Sequence, residues 1–116
     1  MKTNNQEFLA VFNKAFAEYN TEYILNNVSK NIRWEMVGDF TVNGFDEFSK
    51  YLKTMESVES WEIQINKIIT HGKDAAINGI IKSNDGKEYA FCDVYRLTGF
   101  KNPKVSEMTS YVIDIT

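Results

Sequence analysis

Residues Tyr89–Leu97 read YAFCDVYRL, and this stretch has the composition and alternation of a β-strand. Successive side chains of a strand point to opposite faces. One face of this strand is therefore mostly aromatic, with Tyr89, Phe91, Asp93, Tyr95 and Leu97. The other face carries Ala90, Cys92, Val94 and Arg96. An ionised acid among aromatic rings is costly unless another group pairs with it, so Asp93 is the first candidate functional residue.

The segments around this strand also alternate, and they predict an antiparallel sheet. We predict strands at 60–70, 75–83, 88–98 and 104–116. Their connections are short, which makes neighbouring strands antiparallel, and Asn84-Asp85-Gly86 is a hairpin signal because glycine readily adopts positive φ. Ile68 and Ile69 are adjacent and interrupt the alternation of the first of these strands, which predicts a bulge or a bend in it.

The first half of the chain follows helical periodicity for most of its length. Apolar residues recur every three or four positions from Glu7 to Tyr19 and from Phe45 to Met55, which predicts two amphipathic helices. A short helix from Glu22 to Asn27, capped by Thr21, and a strand from Asn27 to Val37 lie between them. This order predicts an α+β domain in which three helices cover one face of a strongly curved sheet and leave a conical pocket.

The length and composition of the chain exclude several classes of protein. At 116 residues the chain predicts a single domain, 1–116. The net charge of −3 comes without a basic cluster, which argues against nucleic acid, and no apolar run reaches the ~18 residues of a membrane span. One histidine, His71, and one cysteine, Cys92, exclude an intrachain disulfide and a zinc cluster, so we expect no metal and a reducing cytoplasm. The aromatic fraction of 14% suits a lined cavity or an apolar interface, and it suits an aromatic-rich core equally well.

Several strings resemble one family of proteins. They are IRWEMVG (32–38), the following Asn43-Gly44-Phe45, YAFCDVYRL (89–97) and KVSEMTSYVIDI (104–115). Together with the order of elements they resemble the nuclear-transport-factor-2-like superfamily, particularly its SnoaL-like polyketide-cyclase branch and the ketosteroid isomerases. The resemblance covers nearly the whole chain. It implies a conical α+β barrel, an apolar pocket at its open end and, as in many members, a dimer formed through the outer face of the sheet. It calls for no metal or redox cofactor.

The resemblance also implies an acid–base site on two strands. In ketosteroid isomerases a neutral acid precedes Val, any residue and Arg, a pattern that Asp93–Arg96 matches. The shared Val37-Gly38 places Glu35 at the position of the isomerase base. Two interpretations stay open. Either Glu35 points into the pocket, or Trp34 and Met36 do and Glu35 is solvated, which strand alternation favours.

A pocket wall follows from the same resemblance. The isomerase tyrosine has no counterpart, because its position falls near Val11 or Phe12, so steroid isomerisation by the same groups is not expected. The last strand of the isomerases turns the residues matching Met108, Ser110 and Val112 inward. The candidate ligand-binding residues are Trp34, Met36, Phe45, Tyr51, Phe91, Tyr95, Met108, Ser110 and Tyr19.

Two hypotheses of different kinds follow. The first is a small-molecule protein that binds an apolar or planar carbonyl compound, with Asp93 as acid and Glu35 as base of a cofactor-free isomerase, cyclase or dehydratase. The second is a non-catalytic dimeric binding or interaction module in which Asp93 orders the core or the ligand. A second well-placed proton-transfer group would separate them. The apolar face with Ala90, Cys92 and Val94 needs covering, which predicts a homodimer.

Overall fold

The computed structural model of the protein describes residues 4–56 and 61–116. This part of the chain contains three helices and six strands, in the order α1-α2-β1-β2-α3-β3-β4-β5-β6. The helices are α1 (Asn4–Glu18), α2 (Thr21–Asn26) and α3 (Phe45–Thr54). The strands are β1 (Val28–Met36), β2 (Phe40–Asn43), β3 (Glu62–His71), β4 (Asp74–Lys82), β5 (Glu88–Leu97) and β6 (Val105–Asp114). The predicted first residue of the strand at 60–70, Ser60, lies outside the described residues.

The six strands form one curved sheet in the order β2-β1-β6-β5-β4-β3. β1 pairs with β6 in parallel, and the other neighbours are antiparallel. After β1 and β2 the chain passes through α3 and the meander β3-β4-β5. It then returns as β6 to the edge of β1 that β2 does not occupy, and there it runs parallel to β1. The predicted α+β class is confirmed. The sheet is open rather than a closed barrel, since β2 and β3 are its two edges across the residues that the structure describes.

The strand β2 was not predicted. It pairs with β1 through Met36–Phe40 and Trp34–Val42, after a turn in which Gly38 adopts a φ of 83°. A strand of four residues is too short for alternation to stand out from the surrounding loop. Its pairing nevertheless places Phe40 against the ring of Trp34, with the centroids 4.9 Å apart.

The predicted irregularity of the strand β3 is a bulge, but the shift in register lies between Ile65 and Lys67 rather than at Ile68–Ile69. One extra residue there reverses the faces of the strand, so Ile68 is half-buried while Ile69 is exposed. Gly79 lies opposite the bulge, and a Cβ at this position would overlap the carbonyl oxygen of Gln64. The absence of a side chain at Gly79 therefore lets β3 bend closely over β4.

The helices lie on the concave face of the sheet and close the hydrophobic core. Fully buried side chains come from α1, α2, α3 and the strands: Leu9, Phe12, Ile24, Ile32, Phe48, Leu52, Ile77, Leu97 and Val105. The cap of α2 is Asn20 rather than the predicted Thr21, since the Asn20 side chain accepts the backbone N–H of Tyr23 at 3.2 Å. Across the described residues, no helix is both long and apolar enough to cross a membrane.

Candidate ligand-binding cavity

A cavity of about 410 Å³ opens between α1 and the concave face of the sheet. Its wall is mostly apolar and aromatic. The described residues that line it are Asn13, Phe16, Ala17, Tyr19, Trp34, Met36, Met55, Trp61, Ile63, Ile81, Phe91, Asp93, Tyr95, Met108, Ser110 and Val112. Most of them come from α1 and from the strands other than β2, because the curvature of the sheet brings alternate residues of its concave face together. Tyr19, Met55 and Trp61 lie just outside these elements.

Asp93 lies in this wall, half-buried, on the middle of β5. Its register partner on β6 is Ser110, which is buried and lines the same cavity. Phe91 and Tyr95 flank Asp93 at two-residue spacing and face the same way, as strand alternation predicts. The accessible part of the carboxyl therefore opens onto the cavity.

Hydrogen bonds join Asp93 to two neighbouring hydroxyl groups. The buried indole Nε1–H of Trp34 donates to Ser110 Oγ at 3.0 Å, and the Ser110 hydroxyl in turn bonds the Asp93 carboxyl. On the other side, the Tyr95 hydroxyl lies 3.3 Å from Asp93 Oδ2 and 3.3 Å from Asn13 Oδ1. The amide of Asn13 donates to the Leu9 carbonyl oxygen at 2.8 Å.

The Asp93 carboxyl is a weaker acid than an exposed aspartate. Burial raises its pKa to about 6, although the hydrogen bonds from Ser110 and Tyr95 lower it in part. Burial and the neighbouring Asp93 raise the pKa of Tyr95 well above its usual value. Near neutral pH this site therefore holds an acid close to its midpoint of ionisation beside a phenol that stays protonated.

Tyr19 supplies a further hydroxyl to the cavity wall. Its φ of 62° is unusual for a residue with a side chain, and it lets the chain turn directly from α1 into α2. The hydroxyl donates to the Leu52 carbonyl oxygen at 3.0 Å. Burial, followed by the charge of Glu56 and by Tyr51, raises the pKa of Tyr19 to about 12. Tyr19 therefore acts here as a neutral hydrogen-bonding group.

Most of the predicted site residues lie together in this wall. Asp93 is joined there by Tyr19, Trp34, Met36, Phe91, Tyr95, Met108 and Ser110. Whether these side chains contact a ligand stays a prediction.

Three predicted site residues lie outside the wall. Glu35 is on the opposite face of β1, where it forms an exposed ion pair with Arg33 at 3.5 Å. The solvated interpretation of Glu35 therefore describes its position, and alternation along β1 is the reason. Phe45 packs against the core, and Tyr51 stacks on Phe40 with the ring centroids 4.0 Å apart.

Asn13 is the most informative residue that the sequence analysis did not single out. It is a buried polar side chain within the apolar stripe of α1, between Leu9 and Phe16. A polar residue at such a position was the available signal. Phe16, Ala17, Met55, Trp61, Ile63 and Ile81 also line the cavity. They follow ordinary core patterns, so nothing in the sequence separates them from packing residues.

The electrostatic character of the cavity is simple. Among the described lining residues Asp93 is the one carboxylic acid, and none is lysine, arginine or histidine. The remaining polar atoms belong to hydroxyl, indole and amide groups. The cavity can accordingly donate or accept a few hydrogen bonds, or exchange one proton, inside an apolar enclosure.

Comparison with solved structures identifies the fold. The chain has the nuclear-transport-factor-2-like fold. A protein from Shewanella putrefaciens named for its likeness to SnoaL-like polyketide cyclases superposes with a TM-score of 0.81 at 10% identity, over 97% of this chain and 91% of that one. An NTF2-like protein of unknown function from Cytophaga hutchinsonii gives 0.70 at 20% identity, over 93% and 98%. An LEH-like epoxide hydrolase from M. tuberculosis gives 0.78 at 13% identity, over 95% and 83%. No protein-family model and no curated protein sequence matches this chain.

Proposed function

We propose that the protein binds a small, uncharged and largely apolar molecule in this cavity, and that Asp93 donates a hydrogen bond or a proton to a carbonyl oxygen of that molecule. The observation that carries the proposal is the position of Asp93. It is an acid of raised pKa in an aromatic wall, bonded to two hydroxyl groups and without a cationic neighbour among the described lining residues. Neutral aspartic acids in apolar sites act as hydrogen-bond donors.

The chemistry of the wall selects against charged acids. A carboxylate ligand would lose its hydration and meet Asp93 rather than a cation. A neutral ketone or aldehyde loses less on entering, and its oxygen accepts one hydrogen bond from the wall. The volume of about 410 Å³ is within the range of ~300–1,000 Å³ usual for small-molecule sites.

A proton or strong hydrogen bond at a carbonyl oxygen favours the enol or enolate of the ligand. Isomerisation, cyclisation and dehydration of carbonyl compounds proceed through such species, so Asp93 could serve any of them as general acid. Glu35 is not available as the second group, because it lies on the outer face. The outer position of Glu35 favours the alternative function, in which the protein binds the ligand without converting it. The names of the Shewanella and M. tuberculosis proteins denote activities on small organic molecules, which supports a small-molecule site here.

Ligand binding should depend on pH in a direction that identifies the ligand class. Asp93 is neutral below a pH of about 6. A carbonyl ligand that needs the neutral acid should bind about a hundredfold more weakly at pH 8 than at pH 5. An amine would show the opposite trend, because it pairs with the ionised carboxylate.

The test is thermal unfolding with planar ketones, terpenoid ketones, matched amines and fatty acids at pH 5 and pH 8. A compound present at 100 times its dissociation constant should stabilise the protein by about 2.7 kcal/mol.

Asp93→Asn keeps an N–H donor, so it should bind the ketone with no dependence on pH between 5 and 8. Asp93→Leu should not bind it. Ketone binding that is the same in wild type and Asp93→Leu would refute the assigned role. Turnover in wild type that disappears in Asp93→Asn, with binding kept, would favour catalysis over binding alone.

A homodimer and a cytoplasmic location belong to the same proposal. The convex face of the sheet leaves Val94, Tyr111 and Ile113 exposed, and these three with Ile69 are called the outer apolar patch below. Tyr111 and Ile113 lie beside Cys92 and Ala90 of β5, on the face opposite Asp93. The cytoplasmic location is proposed from the low cysteine content of the sequence, which has Cys92 alone.

A further inference from the structure

The Tyr95 hydroxyl has two acceptors and one hydrogen to give. Asn13 Oδ1 and Asp93 Oδ2 each lie 3.3 Å from its oxygen. A phenol donates one hydrogen bond at a time, so the two acceptors exclude each other. Tyr95 and Asn13 are buried, and a buried acceptor that loses its donor costs free energy. The state of Asp93 decides which acceptor is served.

The amide of Asn13 is held in one orientation. Its Nδ2 donates to the Leu9 carbonyl oxygen at 2.8 Å, one turn earlier on α1. The reversed amide would place two oxygen atoms at that distance, with no hydrogen between them. Asn13 Oδ1 must therefore face Tyr95, where it can only accept.

The hydrogens of Asp93 and Tyr95 can then be arranged in two ways, which differ in whether every acceptor has a donor. If Asp93 is protonated, its hydrogen goes to the Tyr95 oxygen and the Tyr95 hydrogen goes to Asn13, so every group is satisfied. If Asp93 is ionised, it draws the Tyr95 hydrogen to itself and Asn13 Oδ1 is left without a donor. The chain Asp93–Tyr95–Asn13 accordingly favours the protonated carboxyl.

We propose that Asn13 is a positioning residue that acts through the Tyr95 hydroxyl to keep a hydrogen on Asp93. This rests on the proposed function and deepens it, because it explains how the cavity raises the fraction of Asp93 that carries a hydrogen and can donate to a ligand. A carbonyl oxygen takes that hydrogen in place of Tyr95, and the Tyr95 to Asn13 bond stays intact.

The surroundings of Asp93 add no competing charge. Ser110 on β6 bonds the carboxyl as a neutral group, and the indole of Trp34 on β1 donates to Ser110. Tyr19 and Tyr95 are the other titratable side chains among the described lining residues, and both have a raised pKa. Neither changes charge in the range where Asp93 titrates.

The experiment is a ¹³C NMR titration of the Asp93 carboxyl carbon in four proteins: wild type, Asn13→Leu, Tyr95→Phe and the double variant. The resonance is assigned by its absence from Asp93→Asn. Asn13→Leu should lower the Asp93 pKa by about one unit in the wild-type background, because the Tyr95 hydrogen becomes free for the carboxylate. In the Tyr95→Phe background the same substitution should leave the pKa unchanged. If Asn13→Leu does not fold, Asn13→Ala replaces it in both backgrounds.

Asn5→Leu is the matched control, since Asn5 is also a buried asparagine of α1 but does not line the cavity. It should not move the Asp93 pKa. An unchanged or higher pKa in Asn13→Leu would overturn the proposal, as would an equal decrease with and without the Tyr95 hydroxyl. No ligand is added, so a failure here is distinct from a failure to find a ligand.

Discussion

Asp93 is held in the fold at a cost that depends on pH. In an unfolded chain an aspartate titrates near pH 4, whereas in this cavity its pKa is about 6. The folded protein therefore binds the proton more tightly than the unfolded chain. As pH rises from about 4 to about 6 this group reduces the free energy of unfolding, and above that range the loss is constant. The size of the loss is about 3 kcal/mol at neutral pH.

Asp93→Asn should remove this cost, since the amide offers the same donor without ionising. Relative to wild type, the variant should gain about 3 kcal/mol in the free energy of unfolding between pH 4 and pH 7.5. Urea unfolding at both pH values measures the difference. The control is Asp74→Asn, because Asp74 forms an exposed ion pair with Arg96 at 3.3 Å, and such pairs contribute about 0–1 kcal/mol. A gain that is independent of pH would show that Asp93 is not a titrating buried acid.

Among the secondary-structure elements, the bent strand β3 shapes one side of the cavity. β3 carries a bulge between Ile65 and Lys67, and Gly79 on β4 lets the Gln64 carbonyl approach closely. This contact turns Ile63 and its neighbour Ile81 towards the helices, where both line the cavity. A straight β3 would leave that side of the cavity open.

Gly79→Ala should therefore destabilise the protein strongly. The added methyl would overlap backbone atoms, which cannot move aside as a flexible side chain can. We expect a loss of about 2–4 kcal/mol in the free energy of unfolding, measured by urea denaturation. Gly99→Ala serves as the control, because a Cβ there has no atom within 4 Å. Equal effects of the two substitutions would contradict the proposed role of Gly79.

The elements also show what the sequence could and could not predict. Helical and alternating periods predicted the three helices and five of the six strands to within a few residues, since each of these elements buries one face along its length. The bulge depended on a contact between Gln64 and Gly79, which are fifteen positions apart, so local alternation alone misplaced it.

In the candidate site, too, the residues with a local sequence pattern could be predicted, and those placed by contacts between distant elements could not. The inward position of Trp34 and Met36 could be predicted from strand parity, and the same parity favoured a solvated Glu35 without excluding it as the base. Asn13 belongs to the site because α1 crosses the sheet above Tyr95, a relation between elements that no local pattern contains.

At the scale of the whole molecule, the two faces of the sheet differ in how they are covered. The helices cover the concave face, but the outer apolar patch is exposed, with Ile113 at 65% and Ile69 at 56% of their accessible surface. A monomer rarely leaves a contiguous patch of this kind open to water. A second copy of the chain is the partner we propose.

The expected dimer can be tested by light scattering coupled to gel filtration at micromolar concentration. Ile113→Lys should convert the protein to a monomer, because the charge would be buried without a partner in an interface of ~800 Å² per chain. Val11→Lys is the control, since Val11 is comparably exposed but lies on α1, away from the patch. A wild-type protein that runs as a monomer would rule out this assembly.

The central claim is that Asp93 is a raised-pKa acid facing a ligand cavity, and the pKa of its carboxyl tests it most directly. We would titrate the ¹³C resonance of Asp93 in the free protein and with a planar neutral ketone, 2-acetylnaphthalene. The structure predicts a midpoint near 6 in the free protein and a higher one with the ketone present, because the bound carbonyl accepts the hydrogen and excludes water. A midpoint near 4 that the ketone does not change would contradict the account.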